Sequence, residues 1–319
     1  MRLLCVSLSL TLCLLLSCSS SSTSPDKADG WTFVDFPRFS GGIFDVTFQG
    51  DRGVAIGVQP GSGGGQIPAV LEYSDDRWVV SNTPELNELI LVSVGITPTG
   101  ETLLAGLNPS TEHSVLVDPR ANPTVQEIQS DAAFFGLHFG SVNYAYGVGN
   151  GGLLFREQAP GDWVSEAFPA VSSAEVGIRD MVESQGTVYA CGWDDGGPPY
   201  RFVMQNGGQG WSPMDVPTDS QINRQFTTLA AGSNLLLYVG GLAYSPNDET
   251  NPEVHGPFLL QHTAGNGWTA LVLPAREDIG TINDLVLVGN TLIAATGAGN
   301  GKAGVLIANG SGVTHEVLS

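Results

Sequence analysis

Short apolar runs that end on glycine recur along the chain at intervals of about 45 residues. The runs lie at 54–57, 103–106, 144–147, 188–192, 237–240 and 292–297. Their final glycines are 49, 41, 45, 48 and 57 residues apart. Self-similarity of this length is typical of repeat architectures, in which each repeat is one small structural unit. The longest interval contains a polar insertion at 245–253, which the pattern predicts to be a surface loop.

Each of these runs is predicted to be the second strand of a four-stranded unit. A first strand precedes the run by about a dozen residues, for example at 43–48 and at 176–182. A third strand follows the run, and the fourth strand usually opens on a tryptophan. These tryptophans are Trp78, Trp163, Trp211 and Trp268. Asn-Gly pairs suit tight hairpin turns, and no stretch carries apolar residues at helical spacing, so the pattern indicates an all-β protein.

Four short strands repeated six times predict a β-propeller with six four-stranded blades. A single unit cannot bury both of its faces, and neighbouring units around an axis bury them for each other. Seven blades would need a further unit that the sequence does not show. An extra strand is predicted at 31–36, and 313–318 occupies the fourth-strand place of the last unit. Either both join the last blade or one closes the ring in place of the other.

The turn before the first of these tryptophans carries a family resemblance. Ser74-Asp75-Asp76-Arg77-Trp78 resembles a degenerate Asp box of sialidase-like (BNR) propellers, and the turns before Trp211 and Trp268 resemble more eroded copies. The repeat spacing also resembles propellers of the photosystem II assembly factor type. The resemblance covers most of residues 30–319 as architecture. It implies a propeller fold in which the box shapes a turn between third and fourth strands, and it implies no activity; the Arg-Ile-Pro signature of sialidases is absent.

The N-terminus has the pattern of a secretory signal. Arg2 is followed by a stretch at 3–16 that is almost wholly apolar or small, and then by Ser17 and Cys18. The stretch is shorter than the ~20 residues that span a bilayer, which disfavours a permanent transmembrane helix. We expect residues 1–17 to be removed on export.

Leu15-Leu16-Ser17-Cys18 resembles the bacterial lipobox. The resemblance implies that Cys18 is acylated and begins the mature protein, and Ser19 after the cysteine implies outer-membrane sorting. The alternative is an ordinary signal peptide that contains a cysteine by chance. Residues 18–29 are rich in Ser and Thr and predict a lipidated flexible tether, which leaves 30–319 as the propeller domain.

Charge and cysteine content narrow the classes of partner. The formal net charge is −20, from 12 basic and 32 acidic residues, so the chain lacks the basic footprint of a nucleic-acid binder. Direct adhesion to anionic lipids is disfavoured for the same reason, and the lipid on Cys18 is the membrane contact that we expect. Cys191 is the single cysteine of the predicted domain, where a buried structural role is expected.

Three aspartates hold equivalent places in the predicted first strands: Asp45, Asp180 and Asp284. The corresponding residues of units 2, 3 and 5 are predicted to be Val94, Phe135 and Thr228. First strands are innermost in a propeller, so these carboxylates could rim the channel and hold calcium, the one cofactor considered. Alternatively, each accepts hydrogen bonds from its own or the next blade.

Trp193 and Tyr200 flank a loop at 193–200 and are candidate ligand contacts, provided that their rings are exposed. No catalytic constellation stands out in the sequence. We therefore expect a non-catalytic binding or assembly module of the cell envelope, with an envelope protein or glycan as partner. The alternative is a glycoside hydrolase type of enzyme that uses a pair of the three aspartates on exported polysaccharide.

Overall fold

A computed structural model describes residues 37, 41–62, 64–81, 83–119, 123–130, 132–150, 152–169, 175–194, 201–217, 223–244, 254–274, 279–297, 303–309 and 312–317. Cys18, the predicted strand at 31–36 and Tyr200 lie outside these residues. Within them, no helix has the length and apolar character needed to cross a membrane.

The described chain is built from strands, with one short 3-10 turn at Pro84–Leu86. The first three units contain β1 (Gly42–Gln49), β2 (Arg52–Pro60), β3 (Gln66–Ser74), β4 (Arg77–Ser81), β5 (Ile90–Ile96), β6 (Thr102–Asn108), β7 (His113–Asp118), β8 (Thr124–Ser130), β9 (Ala133–His138), β10 (Tyr144–Asn150), β11 (Leu153–Ala159) and β12 (Asp162–Ser165). The other three contain β13 (Glu175–Ser184), β14 (Thr187–Asp194), β15 (Arg201–Asn206), β16 (Trp211–Pro213), β17 (Asn223–Ala231), β18 (Leu237–Tyr244), β19 (Val254–Thr263), β20 (Gly267–Ala270), β21 (Thr281–Val288), β22 (Thr291–Gly297), β23 (Ala303–Asn309) and β24 (Gly312–Val317).

The described strands form six antiparallel four-stranded blades, each of which pairs its strands in chain order. β10 also pairs with β13 over Val148–Asn150, which joins the second strand of blade 3 to the first strand of blade 4. The first strands of successive blades contact one another, so they surround the axis of the molecule. The all-β propeller predicted from the repeat is confirmed, and the strands at 43–48 and 176–182 fall within β1 and β13.

The repeated glycine lies opposite a β-bulge in the first strand. A Cβ atom on this glycine would lie 1.9–2.1 Å from a carbonyl oxygen of the bulged strand, closer than any side chain can approach. The glycines concerned are Gly57, Gly106, Gly147, Gly192 and Gly241. Two assignments made from the sequence were therefore wrong by one residue. Gly241 rather than Gly240 has this role in blade 5, and Thr296 rather than Gly297 faces the bulge in blade 6.

The turn that resembles an Asp box is the β3–β4 hairpin. Asp75 and Asp76 both have positive φ, 51° and 59°, which is the pattern of the primed two-residue hairpin turns. The turn places Trp78 opposite Tyr73, where the two rings contact each other with centroids 5.3 Å apart. Trp78 is buried, as expected for a residue that opens a fourth strand against the blade core.

Five hydrophobic cores are each shared by two consecutive blades. In the first, Leu91 and Val94 of blade 2 are 1% and 4% exposed. Their counterparts in blade 1, Ile43 and Val46, are 38% and 49% exposed. The sixth cluster comprises residues of blade 1 alone among the described residues. Among the described residues, blades 1 and 6 share no core of the kind that joins the other neighbours, and we call the junction between them the seam.

Candidate functional site

A bulge at the same place in every first strand shapes the axial opening. The bulged residues are Phe44, Val92, Phe135, Arg179, Thr227 and Asn283. All six are exposed or half-buried, whereas the residues before them are buried in blades 2 to 6. A bulge re-aims the side chain that it carries. These six side chains therefore line the opening at the end where the first strands begin.

The residues that directly follow the bulges form a second ring, here called the polar belt. They are Asp45, Ser93, Gly136, Asp180, Thr228 and Asp284. The equivalence of the three aspartates that the sequence indicated is confirmed. The predicted counterparts Val94 and Phe135 were wrong by one residue, because the bulge adds a residue whose position the spacing does not reveal.

Asp45 ties its blade to the next one. Its Oδ2 accepts hydrogen bonds from Ser93 Oγ at 2.8 Å and from the backbone N–H of Val94 at 2.9 Å. Its Oδ1 accepts the N–H of Val46 in its own strand at 2.8 Å. Burial raises the pKa of Asp45, and these hydrogen bonds oppose the rise.

Asp180 makes the same junction between blades 4 and 5. Its Oδ2 accepts the N–H of Leu229 at 2.6 Å and lies 3.0 Å from Thr228 Oγ1. Burial raises the pKa of Asp180 to about 7. The hydroxyl of Tyr146 reaches its Oδ1 at 3.4 Å across Gly136, where any Cβ would collide with that hydroxyl. Asp45 and Asp180 thus accept hydrogen bonds from their own and the next blade, the second of the two roles considered from the sequence.

Thr228 stands between two carboxyl groups but has a single hydroxyl hydrogen. Its Oγ1 lies 3.0 Å from Asp180 Oδ2 and 3.3 Å from Asp284 Oδ1, and it accepts the N–H of Leu285 at 3.1 Å. It can donate to only one of the two carboxyl groups. A proton on one of the two carboxyl groups removes this shortage of donors. Burial is the main cause that raises the pKa of both carboxyl groups.

Among the described residues, no group of three or more His, Cys, Asp or Glu side chains is close enough together to hold a metal ion. Calcium binding by Asp45, Asp180 and Asp284 stays a prediction of the sequence.

An arginine rests on two aromatic rings at the axial opening. Arg179 Cζ lies 4.7 Å from the ring centroid of Phe135 and 4.7 Å from that of Trp193, and the two rings are 5.9 Å apart. The Trp193 ring lies directly over Gly177, where a Cβ would come within 2.1–2.3 Å of the indole. We call Phe135, Arg179 and Trp193 the Arg179 platform. Its parts come from three strands of two blades.

The guanidinium of this platform has no hydrogen-bond acceptor and no ion-pair partner among the described residues. Its Nε is shielded from solvent and makes no hydrogen bond. Partial burial is the main cause that lowers the pKa of Arg179, and the neighbouring charge of Arg201 lowers it further. An arginine nevertheless stays charged at neutral pH. Among the described residues, the site therefore holds a positive charge without an acceptor for its donors.

The sequence identified one member of this platform. Trp193 was predicted to contact ligand through an exposed ring, whereas its ring is half-buried and packed against Arg179 and Phe135. Tyr200, its predicted partner, lies outside the described residues, so ligand contact by this pair stays a prediction. Arg179 and Phe135 could have been identified from the position of the bulge in each first strand, but the sequence spacing does not reveal that position.

Cys191 is fully buried in β14, and burial raises the pKa of its thiol well above the ordinary value. A reactive cysteine needs an accessible thiolate. The structural role expected for Cys191 is confirmed.

A groove of about 660 Å³ lies at the opposite end, between blades 2 and 3. Its charged side chains are already engaged. Arg156 Nε lies 3.1 Å from Glu166, and Glu157 accepts a hydrogen bond from Asn143 Nδ2 at 2.7 Å. The groove therefore offers a ligand fewer unused polar groups than the Arg179 platform does.

Comparison with known proteins indicates a fold and no family. Neither a protein-family model nor a curated protein matches the sequence. Similar solved structures include YCF48, a photosystem II assembly factor, bound to the D1 peptide, with 16% identity, a TM-score of 0.58 and coverage of 88% of this chain and 82% of that one. The β-propeller domain of the Trilobed protease from Pyrococcus furiosus, described as having an open velcro topology, has 8% identity, a TM-score of 0.54 and coverage of 90% and 85%.

The fucose-specific lectin from Aleuria aurantia matches with 11% identity, a TM-score of 0.50 and coverage of 87% of this chain and 95% of the lectin. Likeness to assembly-factor propellers is thus supported at the level of architecture, and the likeness of the Ser74–Trp78 turn to an Asp box stays a sequence resemblance. At these identities the comparisons show that the chain has a β-propeller fold.

Proposed function

We propose that this protein is an exported lipoprotein whose β-propeller is a non-catalytic binding or assembly module of the cell envelope. The observation that carries the proposal is the Arg179 platform, a positive group with unused hydrogen-bond donors at the axial opening. The acidic groups nearby already hydrogen-bond between blades. A group that is charged, partly desolvated and unpaired in the free protein suits a ligand that supplies the missing acceptor.

The fold is compatible with a protein or a glycan as partner. Among the similar propellers, one is bound to a peptide and another is a fucose-specific lectin. Those ligands belong to those proteins, and function is a property of the site rather than of the fold. A net charge of −20 argues against nucleic acid as the partner.

The lipobox supports an envelope location. Acylation of Cys18 would anchor the protein, and Ser19 after it favours the outer membrane. The Cys18→Ala variant should lose metabolic labelling with palmitate and move from the membrane to a soluble fraction. Unchanged membrane retention of this variant would refute the anchor and leave the propeller's binding role to be tested separately.

Mild crosslinking of the native lipoprotein followed by copurification tests the binding role. We expect one envelope component to be recovered in stoichiometric amount, and its recovery to fall in the mislocalised Cys18→Ala control. Recovery of the bare protein, with no component above the level of an unrelated lipoprotein, would count against an assembly or adaptor role.

One observation favours an enzyme acting on exported polysaccharide as the second candidate. Asp180, with a pKa of about 7, is separated from Asp284 by the Thr228 hydroxyl. Glycoside hydrolysis uses one protonated carboxyl group and one carboxylate. A turnover screen on exported polysaccharides decides the matter. Hydrolysis that disappears in Asp45→Asn, Asp180→Asn or Asp284→Asn would replace the binding module with an enzyme.

A further inference from the structure

The unused guanidinium of Arg179 is costly for the free protein. A partly buried charge loses hydration, and the loss is normally offset by an ion pair or by hydrogen bonds. Stacking on Phe135 and Trp193 offsets part of it, since an aromatic face attracts a cation. The guanidinium still lacks an acceptor among the described residues.

Arg179 is half-buried, so part of its side chain stays accessible. The two rings cover its face, and Nε is shielded from solvent without a hydrogen bond. The terminal Nη groups are the donors that can meet a ligand from the opening. Two parallel N–H groups match the two oxygens of a carboxylate.

The charges around the platform restrict the ligand further. Arg201 pairs with Trp193 across β14 and β15 and adds a second positive charge close to Arg179. The whole chain carries −20, and the aspartates of the polar belt lie next to the opening. A ligand with many negative charges is repelled at long range, whereas a single carboxylate can form a short paired contact.

We propose that the Nη groups of Arg179 bind a carboxylate of a ligand that carries no further negative charge, with Phe135 and Trp193 holding the guanidinium in place. This inference rests on the proposed binding function and names the ligand chemistry of the same site. A small free acid and the end of a longer uncharged chain offer the same group.

The test uses the purified full-length chain and observes the arginine Nε–Hε signals by NMR. The probes are acetate as a small acid, N-acetyl-trialanine as a chain end, and the C-terminal amide of the same tripeptide. We expect the Arg179 signal to shift saturably with a carboxylate probe, with Kd on the order of millimolar, and at least about tenfold more weakly with the amide. The carboxylate probe that binds more tightly identifies the source of the group.

Variants assign the effect to Arg179, and their binding is measured from the indole N–H signal of Trp193, which contacts the guanidinium and is present in every variant. Arg179→Gln should weaken carboxylate binding by about tenfold or more, and Arg179→Lys should weaken it less, because lysine keeps the charge without the paired donors. Arg224→Gln is the matched control. Arg224 also lies over a ring, Phe258 at 5.8 Å, but its Nη1 already donates to the carbonyl of Pro217 at 2.6 Å. Binding by this control should equal that of the wild type.

The inference is overturned if acid and amide shift the Arg179 signal equally, if neither shifts it at about 50 mM, or if Arg179→Gln binds as the wild type does. Should Arg179→Gln fail to fold, the wild-type signal and Arg179→Lys decide the question. If the probes do not bind but an envelope component still copurifies, the ligand chemistry is wrong and the binding function stands. If the probes bind but no envelope component copurifies, the ligand chemistry stands and the assembly or adaptor role is wrong.

Discussion

Asp180 connects the chemistry of one side chain to the stability of the whole propeller. Its carboxyl group accepts hydrogen bonds from blade 5, and burial raises its pKa from 3.8 to about 7. Between about pH 4 and pH 7, Asp180 of the folded protein therefore still holds a proton that the unfolded chain has released. Stability from this group is fully present below about pH 4 and is lost as the pH rises towards 7. Burial raises the pKa of Asp45 and Asp284 in the same direction, so they add to the same loss.

Asp180→Asn should remove much of this pH dependence. We expect the wild type to lose a few kcal/mol of unfolding free energy between about pH 4 and pH 7, and the variant to lose clearly less. The variant should also be less stable than the wild type at about pH 5, by about 1–3 kcal/mol, because an amide cannot accept from both Leu229 and Met181 without leaving one donor unpaired.

Urea denaturation across this pH range measures both effects. Asp162→Asn, at an exposed hairpin position, is the control and should follow the wild-type profile. A wild-type stability that rises steadily from pH 4 to pH 7, or an Asp180→Asn profile as steep as that of the wild type, would contradict the protonation of Asp180.

For single residues, the sequence predicted which residues occupy equivalent positions in the first strands. It did not predict which side chains of different strands contact one another. The equivalence of Asp45, Asp180 and Asp284 follows from the repeat and could be predicted. The Arg179 platform could not, because Phe135 comes from another blade and Trp193 stacks through the space that Gly177 leaves empty. Neither contact corresponds to a regular spacing in the sequence that could have predicted it.

Blades 1 to 5 depend on the close approach between a glycine of the second strand and the bulge of the first strand. Gly192→Ala would place a Cβ 1.9 Å from the carbonyl oxygen of Gly177 and 2.8 Å from the Phe202 ring. The strands must separate to admit it, so we expect a loss of about 2 kcal/mol or more in unfolding free energy. Gly207→Ala is the control, since its nearest neighbour would be 3.7 Å away.

Chemical denaturation of the two alanine variants measures this difference. Equal stability of Gly192→Ala and Gly207→Ala would mean that the bulge does not require a glycine opposite it, and the explanation of the repeat would fail.

At the element scale, the glycine spacing predicted the strands well and the register less well. Blade 5 has two adjacent glycines, Gly240 and Gly241, and only strand pairing shows which one faces the bulge. In blade 6 the facing residue is Thr296, so the conspicuous Gly297 misled the alignment by one position. A pattern of residue types predicts that a strand exists, whereas register depends on bulges that involve two strands.

The blades of the whole molecule are joined by five shared cores and one seam. The strands beside the seam, β1 and β21, expose Phe44, Val46, Val286 and Val288. Strands in the middle of the series, such as β13 and β17, each contribute to two shared cores, whereas among the described residues β21 contributes to one and β1 to none. Backbone amides with few buried apolar neighbours open more easily than those in a shared core.

Amide hydrogen exchange should reveal this gradient. We expect the amides of β1 and β21 to exchange at least about tenfold faster than those of β13 and β17, since local opening near the seam disrupts less packing. Protection of β1 equal to that of β13 would mean that the seam is packed like the other junctions.

The propeller fold and the order of the described strands followed from the repeat, but the seam did not. A periodic sequence predicts that all junctions between neighbouring blades are packed alike. The first and last blades are the ends of the series, and their junction differs from the others. The predicted strand at 31–36, which bears on the same junction, lies outside the described residues.

We propose that the partner binds at the axial opening, and site-specific photocrosslinking in the native envelope tests this proposal. A photoreactive residue at Asn283, which lines the opening, is compared with one at Thr269, which is exposed on the outer strand of blade 5. We expect one envelope component to be captured by the photoreactive residue at position 283 and not by the one at position 269. Its capture from position 283 should fall when Arg179→Gln is added. Equal capture from both positions, or none from position 283, would contradict it.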